Sequence, residues 1–384
     1  MCGIYLDYQS AMPVDTRVLE FAERYLTKEF GNPSALHSVG LAAKSAVEEA
    51  RRKVAELINA PDPSNIIFTG SATEANNLAI RGTAQRNAAK GKKVLASAIE
   101  HISVLNAMKD LQKGGFQLTL VPVDSAGIID LAVLENQLSK DTTVTSVMYA
   151  NSEIGTIEPI KEISQMVHDK GMFLHVDAVA AQGRIPIDVQ KDGIDLLTIS
   201  SNDMYGPQGA GALYVNPKVK LQPTMLGGGQ EKGLRPSTEN LFAIAGMGEA
   251  ARLAKLEMDQ ESDRLRPIRD SLIKEILKID EAYLTGHTTI RLPHHASFRF
   301  SRIEGESILL TMDAMFNIQV STGSACSSRT LEPSHVLLAI GLKHEQAHGS
   351  MVTTLGKYNN QGEIPVIAKA VSQTVQRLRA LSPL

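Results

Sequence analysis

Cysteine is scarce in this chain: 384 residues hold two, Cys2 and Cys326, far apart in sequence. That excludes a disulfide framework and a zinc site built on paired cysteines. Neither sign of charge is in excess, since 39 lysines and arginines face 42 aspartates and glutamates, 39 − 42 = −3. The chain therefore lacks the basic excess that nucleic acid or an anionic membrane would require. It has no run of eighteen apolar residues, so no helix is expected to span a bilayer. The N-terminal run MCGIYLDYQS carries Asp7 where an export signal needs an apolar stretch, which points to a cytoplasmic location. At roughly 150 residues per domain, the length suits two to three globular domains with a sizeable core.

What is present is alternation. Short β-branched runs at 66–68, 94–98, 117–123, 144–150, 172–176, 196–200 and 212–215 are separated by helix-like stretches such as 72–90 and 160–170. This pattern predicts an α/β fold whose mainly parallel, seven-stranded sheet is covered by helices. A helix is expected over 240–277, broken or kinked at Pro267. Beyond it, mixed segments at 295–302, 306–314, 318–321, 351–355 and 364–380 predict a smaller α+β domain. We divide the chain into a large domain over 15–255 and a small one formed by 1–14 and 256–384.

Several short runs suit chemistry. Thr69-Gly70-Ser71-Ala72-Thr73-Glu74 ends a strand and opens a helix, where backbone amides can receive a phosphate. An ordinary turn with a helix cap accounts for the same spacing. His175-Val176-Asp177 places an acid at the end of a buried strand, which calls for a cationic or hydrogen-bonding partner, either a cofactor or a structural network. Gly227-Gly228-Gly229 alone carries little information. Cys326 lies in Ser321-Thr322-Gly323-Ser324-Ala325-Cys326-Ser327-Ser328, small hydroxyl-rich material that packs poorly and suits an arm carrying a thiolate. Cys2 has no such context.

In order along the chain, IYLDYQSAMPVD, FGNPSALH, SATEANNLAI, EHISVLN, NSEIGTIEPI, HVDAVAAQG, YGPQGAGALYV, GGGQEKGLRPSTEN, EGES, STGSACSS and LRALSPL resemble the NifS/IscS-type cysteine desulfurases, which have the fold-type I architecture of pyridoxal-phosphate enzymes. The resemblance covers essentially the whole chain. It implies a homodimer with its sites at the subunit interface. It also implies a lysine joined to pyridoxal phosphate as a Schiff base, and a loop cysteine, here Cys326, that takes sulfur from cysteine as a persulfide and leaves alanine. The sulfur then passes to an iron–sulfur scaffold protein. At retained positions the resemblance assigns Thr73, Ser200 and Thr238 to the phosphate, Thr238 across the dimer. His101 is assigned to the ring face and Asp177 to the ring nitrogen.

The pattern breaks at five positions. Before Tyr205-Gly206-Pro207 the chain reads Ser200-Ser201-Asn202-Asp203-Met204. Asp203 stands where the resemblance implies the lysine, and Asn202 where it implies a phosphate-binding histidine. Ser152 replaces an asparagine, Ala180 a glutamine and Val352 the arginine that clamps the substrate carboxylate. A carboxylate cannot form an imine, so pyridoxal phosphate is expected to be held without a covalent link or not at all. The main expectation is therefore a dimeric partner of a cluster scaffold, with Cys326 as sulfur carrier or as an iron ligand of a shared cluster. The alternative is a working cysteine desulfurase with non-covalently bound pyridoxal phosphate.

Overall fold

The computed structural model describes residues 3–322 and 333–381. Cys2 and Cys326, and with Cys326 its expected catalytic and iron-binding roles, lie outside the described residues. The seven expected strands form one sheet in the spatial order Ile66–Thr69, Gly211–Val215, Leu196–Ser200, Leu174–Asp177, Thr142–Ser146, Lys93–Ser97, Gln117–Val121. Gly211–Val215 runs antiparallel to both neighbours and the other pairings are parallel. The central strands read as continuous apolar or small runs because both faces are covered. Every residue of Leu196–Ser200 and of Leu174–Asp177 is buried, whereas edge strand Gln117–Val121 is mostly exposed or half-buried.

Two expected strands shift. The run expected at 172–176 forms Leu174–Asp177, which brings Asp177 into the strand. The run expected at 144–150 is regular only over Thr142–Ser146. Beyond it the chain stays beside its neighbour through Val147 N to His175 O, 3.1 Å, and Tyr149 N to Asp177 O, 2.8 Å.

Of the break or kink expected at Pro267, the break does not occur. Helix Leu241–Ile276 runs through Pro267 for 36 residues. Proline removes the donor for the Asp263 carbonyl, but Asp263 and Pro267 are both exposed, so water can meet that carbonyl. Each half is also anchored in its own core. Met247, Ala250 and Leu253 pack in the large apolar cluster, whereas Leu265, Ile268, Leu272 and Ile276 pack with Phe298, Phe300 and Val371 in a second one. The boundary drawn at 255/256 thus falls inside this helix. The smaller C-terminal domain has a three-stranded antiparallel sheet in the order Ser350–Thr354, His295–Phe300, Ala282–Leu284, with helices Gly305–Phe316 and Ile364–Leu381. Val336, Leu337 and Ile340 lean the other way, packing on Ile99, Met148 and Ile154 beside the large sheet. Among the described residues no helix is long and apolar enough to cross a membrane.

Candidate active site

A cavity of about 470 Å³ opens at the carboxyl ends of the parallel strands, where α/β sheets place ligands. Five sequence-selected residues meet there from separate elements: Thr73 from the first turn of Ala72–Arg86, His101 from the cap of Ile102–Lys113, Asp177 and Ser200 from strand ends, and Asp203 from the turn after Ser200. Asn202, Ser152, Ala180 and Val352 complete that set. Thr238 does not line the cavity of this chain and is exposed. Ser321, Thr322, Ser334 and His335 also line it, so both described flanks of the segment holding Cys326 reach the cavity.

Asp177 is held by a side chain from one helix, which a residue of a second helix braces in turn. Asn76 Nδ2 donates to Asp177 Oδ2 at 2.8 Å and to Ser103 Oγ at 2.9 Å. Ser103 Oγ lies 2.8 Å from His101 Nδ1, which also accepts from Ser103 N at 3.2 Å and so caps the helix. A second chain of bonds holds the altered loop. Gln182 grips the Ser200 backbone on both sides, its amide donating to Ser200 O at 2.5 Å and its carbonyl accepting from Ser200 N at 2.8 Å. Ser200 Oγ donates to Asn202 Oδ1 at 2.7 Å, and Asn202 Nδ2 donates to Asp203 Oδ2 at 2.9 Å.

The electrostatics are one-sided. Asp7, Glu100, Glu153, Asp177 and Asp203 all line the cavity, and among its described lining residues there is no lysine or arginine. Burial pushes Asp203 up to about 6; the Ser200 hydroxyl opposes this and the Asp177 charge adds to it. Glu100, fully buried, is driven well above the ordinary carboxylate range by burial and then by Asp177. Loss of hydration raises Glu153 to about 7 against a hydrogen bond from Ser334, whose neighbour His335 meets the Glu100 carbonyl at 2.9 Å.

These residues do not fit a lysine-linked pyridoxal phosphate. Among the described lining residues there is no lysine to form that link, and Asp203, at the position where the resemblance implies one, is a carboxylate. Val352 is a buried strand residue fixed by backbone bonds with Ser321, at 2.8 Å from its N–H and 3.0 Å to its carbonyl, and offers no charge to a substrate carboxylate. Among the described residues no group of three or more His, Cys, Asp or Glu could hold a metal ion.

Sequence reasoning did not single out Asn76, Glu100, Glu153 or Gln182. One signal was available: Asn76 follows Thr73 by three residues and therefore shares its helix face. Gln182 and Glu100 carry no comparable local signal, because their partners come from other strands.

Comparison with known proteins gives a consistent picture. A family model described as aminotransferase class-V matches residues 4–366. The chain is 54% identical over 380 residues to the protein named cysteine desulfurase IscS 1 from Archaeoglobus fulgidus, covering 99% of each. It is 45% identical over 381 residues to cysteine desulfurase IscS from Dictyoglomus turgidum, covering 99% of this chain and 96% of that one. Among solved structures, a NifS-like protein superposes with a TM-score of 0.92 at 32% identity, over 98% of this chain and 100% of that one.

Proposed function

The chain belongs to the NifS/IscS-type cysteine desulfurases of the class-V aminotransferase family, and from that premise we propose that it handles sulfur through Cys326 without lysine-linked cofactor chemistry. The carrying observation is Asp203, buried in a cavity whose described lining has no lysine or arginine. In this reading Cys326 supplies a thiolate to iron on a cluster scaffold, or its thiolate takes the outer sulfur of a donor persulfide, whose own thiolate is the leaving group. Cys326 stands four residues after Thr322 and eight before Ser334, and both of those residues line the cavity. The dimer and the cytoplasmic location belong to the same proposal. The strongly exposed Phe30, Leu36 and Leu226, and the exposure of Thr238, support a partner subunit.

A second reading is a working desulfurase with non-covalently held pyridoxal phosphate, which when bound supplies an electron sink for charge withdrawn from cysteine. The comparisons favour this reading over the first, because the similar proteins from Archaeoglobus fulgidus and Dictyoglomus turgidum are named cysteine desulfurases. Asp177 pinned by Asn76, and His101 held by Ser103, would give it an ordered seat.

Alanine formed from cysteine, measured under anaerobic reducing conditions with and without added pyridoxal phosphate, separates the two. Free cofactor and Cys326→Ser are the controls. Our reading expects no alanine above the controls, together with loss of cluster assembly on a scaffold in Cys326→Ser. Alanine above both controls establishes the second reading. Asp203→Lys with pyridoxal phosphate should restore a visible cofactor band and a borohydride-stable adduct at the substituted position.

A further inference from the structure

A second cavity, of about 610 Å³, lies where the N-terminal segment meets the stretch ahead of helix Ile364–Leu381, and it shares no lining residue with the acidic one. Tyr5, Tyr8, Met12 and Pro13 line it from the first segment, Tyr358 and Glu363 from the second. The rings of Tyr5 and Tyr8 meet at 73° with centroids 4.9 Å apart, so they form a corner rather than a flat wall. Two polar groups there are unspent. Tyr8 is 3% exposed, yet among the described residues its hydroxyl has no hydrogen-bond partner and is not closed off from solvent. Glu363 Oε2 accepts from Asn359 Nδ2 at 3.0 Å and from Asn360 N at 3.3 Å, whereas among the described residues its Oε1 has no partner. Asn359, by contrast, is fully engaged: its Oδ1 accepts from Gly356 N at 2.8 Å, and its amide also donates to Tyr5 O at 3.2 Å. The described lining holds one carboxylate and no lysine, arginine or histidine. Burial pushes the Tyr8 hydroxyl above its ordinary range, and Tyr205, Tyr358, Glu363 and Tyr5 add to the rise.

We propose that this cavity binds a small alkylated ammonium ion, its head against the tyrosine rings and its charge met by Glu363. Such an ion spreads its charge over methyl groups, asks for no hydrogen-bond acceptor and is drawn to aromatic faces and to a carboxylate. A guanidinium would need several acceptors in its plane, and most of this lining is ring, thioether and proline carbon. An alcohol on the same ion would meet the free Tyr8 hydroxyl. The class is therefore an alkylated amino alcohol.

The test is calorimetric titration of the full chain with choline and with 3,3-dimethyl-1-butanol, which has the same shape but carries carbon in place of the charged nitrogen. Choline is expected to bind with a Kd on the order of 1 mM or tighter, and about tenfold more tightly than the neutral probe. Glu363→Gln keeps an acceptor for the Asn359 and Asn360 donors and should weaken choline about tenfold with little effect on the neutral probe. Tyr358→Ala, at an exposed position, should weaken choline about threefold or more. Equal affinities for the two probes in the unsubstituted protein overturn the proposal without any substitution being involved. So does the absence of choline binding at about ten times the expected Kd. Choline binding that is unchanged in both variants places the ion elsewhere and overturns this site. None of these readouts involves Cys326 or a residue of the acidic cavity, so the result stands under either reading of the sulfur chemistry.

Discussion

Replacing Asp203 by asparagine should stabilise the protein, and the gain should depend on pH. Asp203 is 8% exposed, and its carboxyl is raised from an ordinary 3.8 to about 6. Between those two values the folded protein holds a proton that the unfolded chain has released. The contribution of this group is therefore most favourable below about pH 4, falls as the pH rises through the folded value and is level above it. A difference of about two pKa units at 1.36 kcal/mol each amounts to about 3 kcal/mol at neutral pH. At about pH 4.5 the same relation leaves about 1 kcal/mol. Asparagine keeps the shape and can still accept the Asn202 amide through its carbonyl oxygen, so the difference between the two proteins isolates the charge. Glu100, Glu153 and Glu158 are raised by burial in the same sense but are common to both proteins, so they largely cancel. Urea denaturation of the two proteins at about pH 7.5 and about pH 4.5 makes the comparison. A variant that is less stable at neutral pH, or a gain that does not shrink in acid, refutes the argument. The gain expected from removing Asp203 is what a residue kept for a site rather than for stability would show.

Two further substitutions probe how the fold is held. Glu231→Gln should cost about 3 kcal/mol, because Glu231 accepts from Arg51 at 2.7 and 2.8 Å and from Phe68 N at 2.8 Å, and a neutral amide leaves a buried guanidinium poorly paired. A shift in the urea midpoint reads this, and a loss below about 1 kcal/mol would mean that Arg51 finds another partner. Gly155→Ala should lower the melting temperature by several degrees. Its φ is +74° and an added Cβ would lie 2.6 Å from His295 Nδ1, where the Asn151–Gly155 turn meets the small domain. An unchanged melting temperature would show that the turn relaxes freely.

The order of elements was legible because its signals are local. β-Branched runs such as Ile66–Thr69, Thr142–Ser146 and Leu196–Ser200 carry their own preference for strand. The period of the helices between them is likewise visible over ten to twenty residues. Pro267 does not end its helix because its local penalty, though real, is absorbed by an exposed carbonyl and two packed flanks. The resemblance located nine residues that the cavity does bring together, whereas Thr238 stays outside it in a single chain.

By itself, then, the sequence determined the α/β class, the identity of the residue at 203 and the absence of any wider cysteine framework. Those depend on residue type and on short-range periodicity. Only the tertiary structure decided that Asn76 fixes Asp177 across 101 positions, that Gln182 clamps Ser200, and that Arg51 meets Glu231 across 180. It alone assembled five acidic side chains around one cavity. Partners so far apart leave no mark on local spacing. They are chosen by strand order, and the desolvation that raises Asp203, Glu100 and Glu153 arises only when the sheet and its helices close around them.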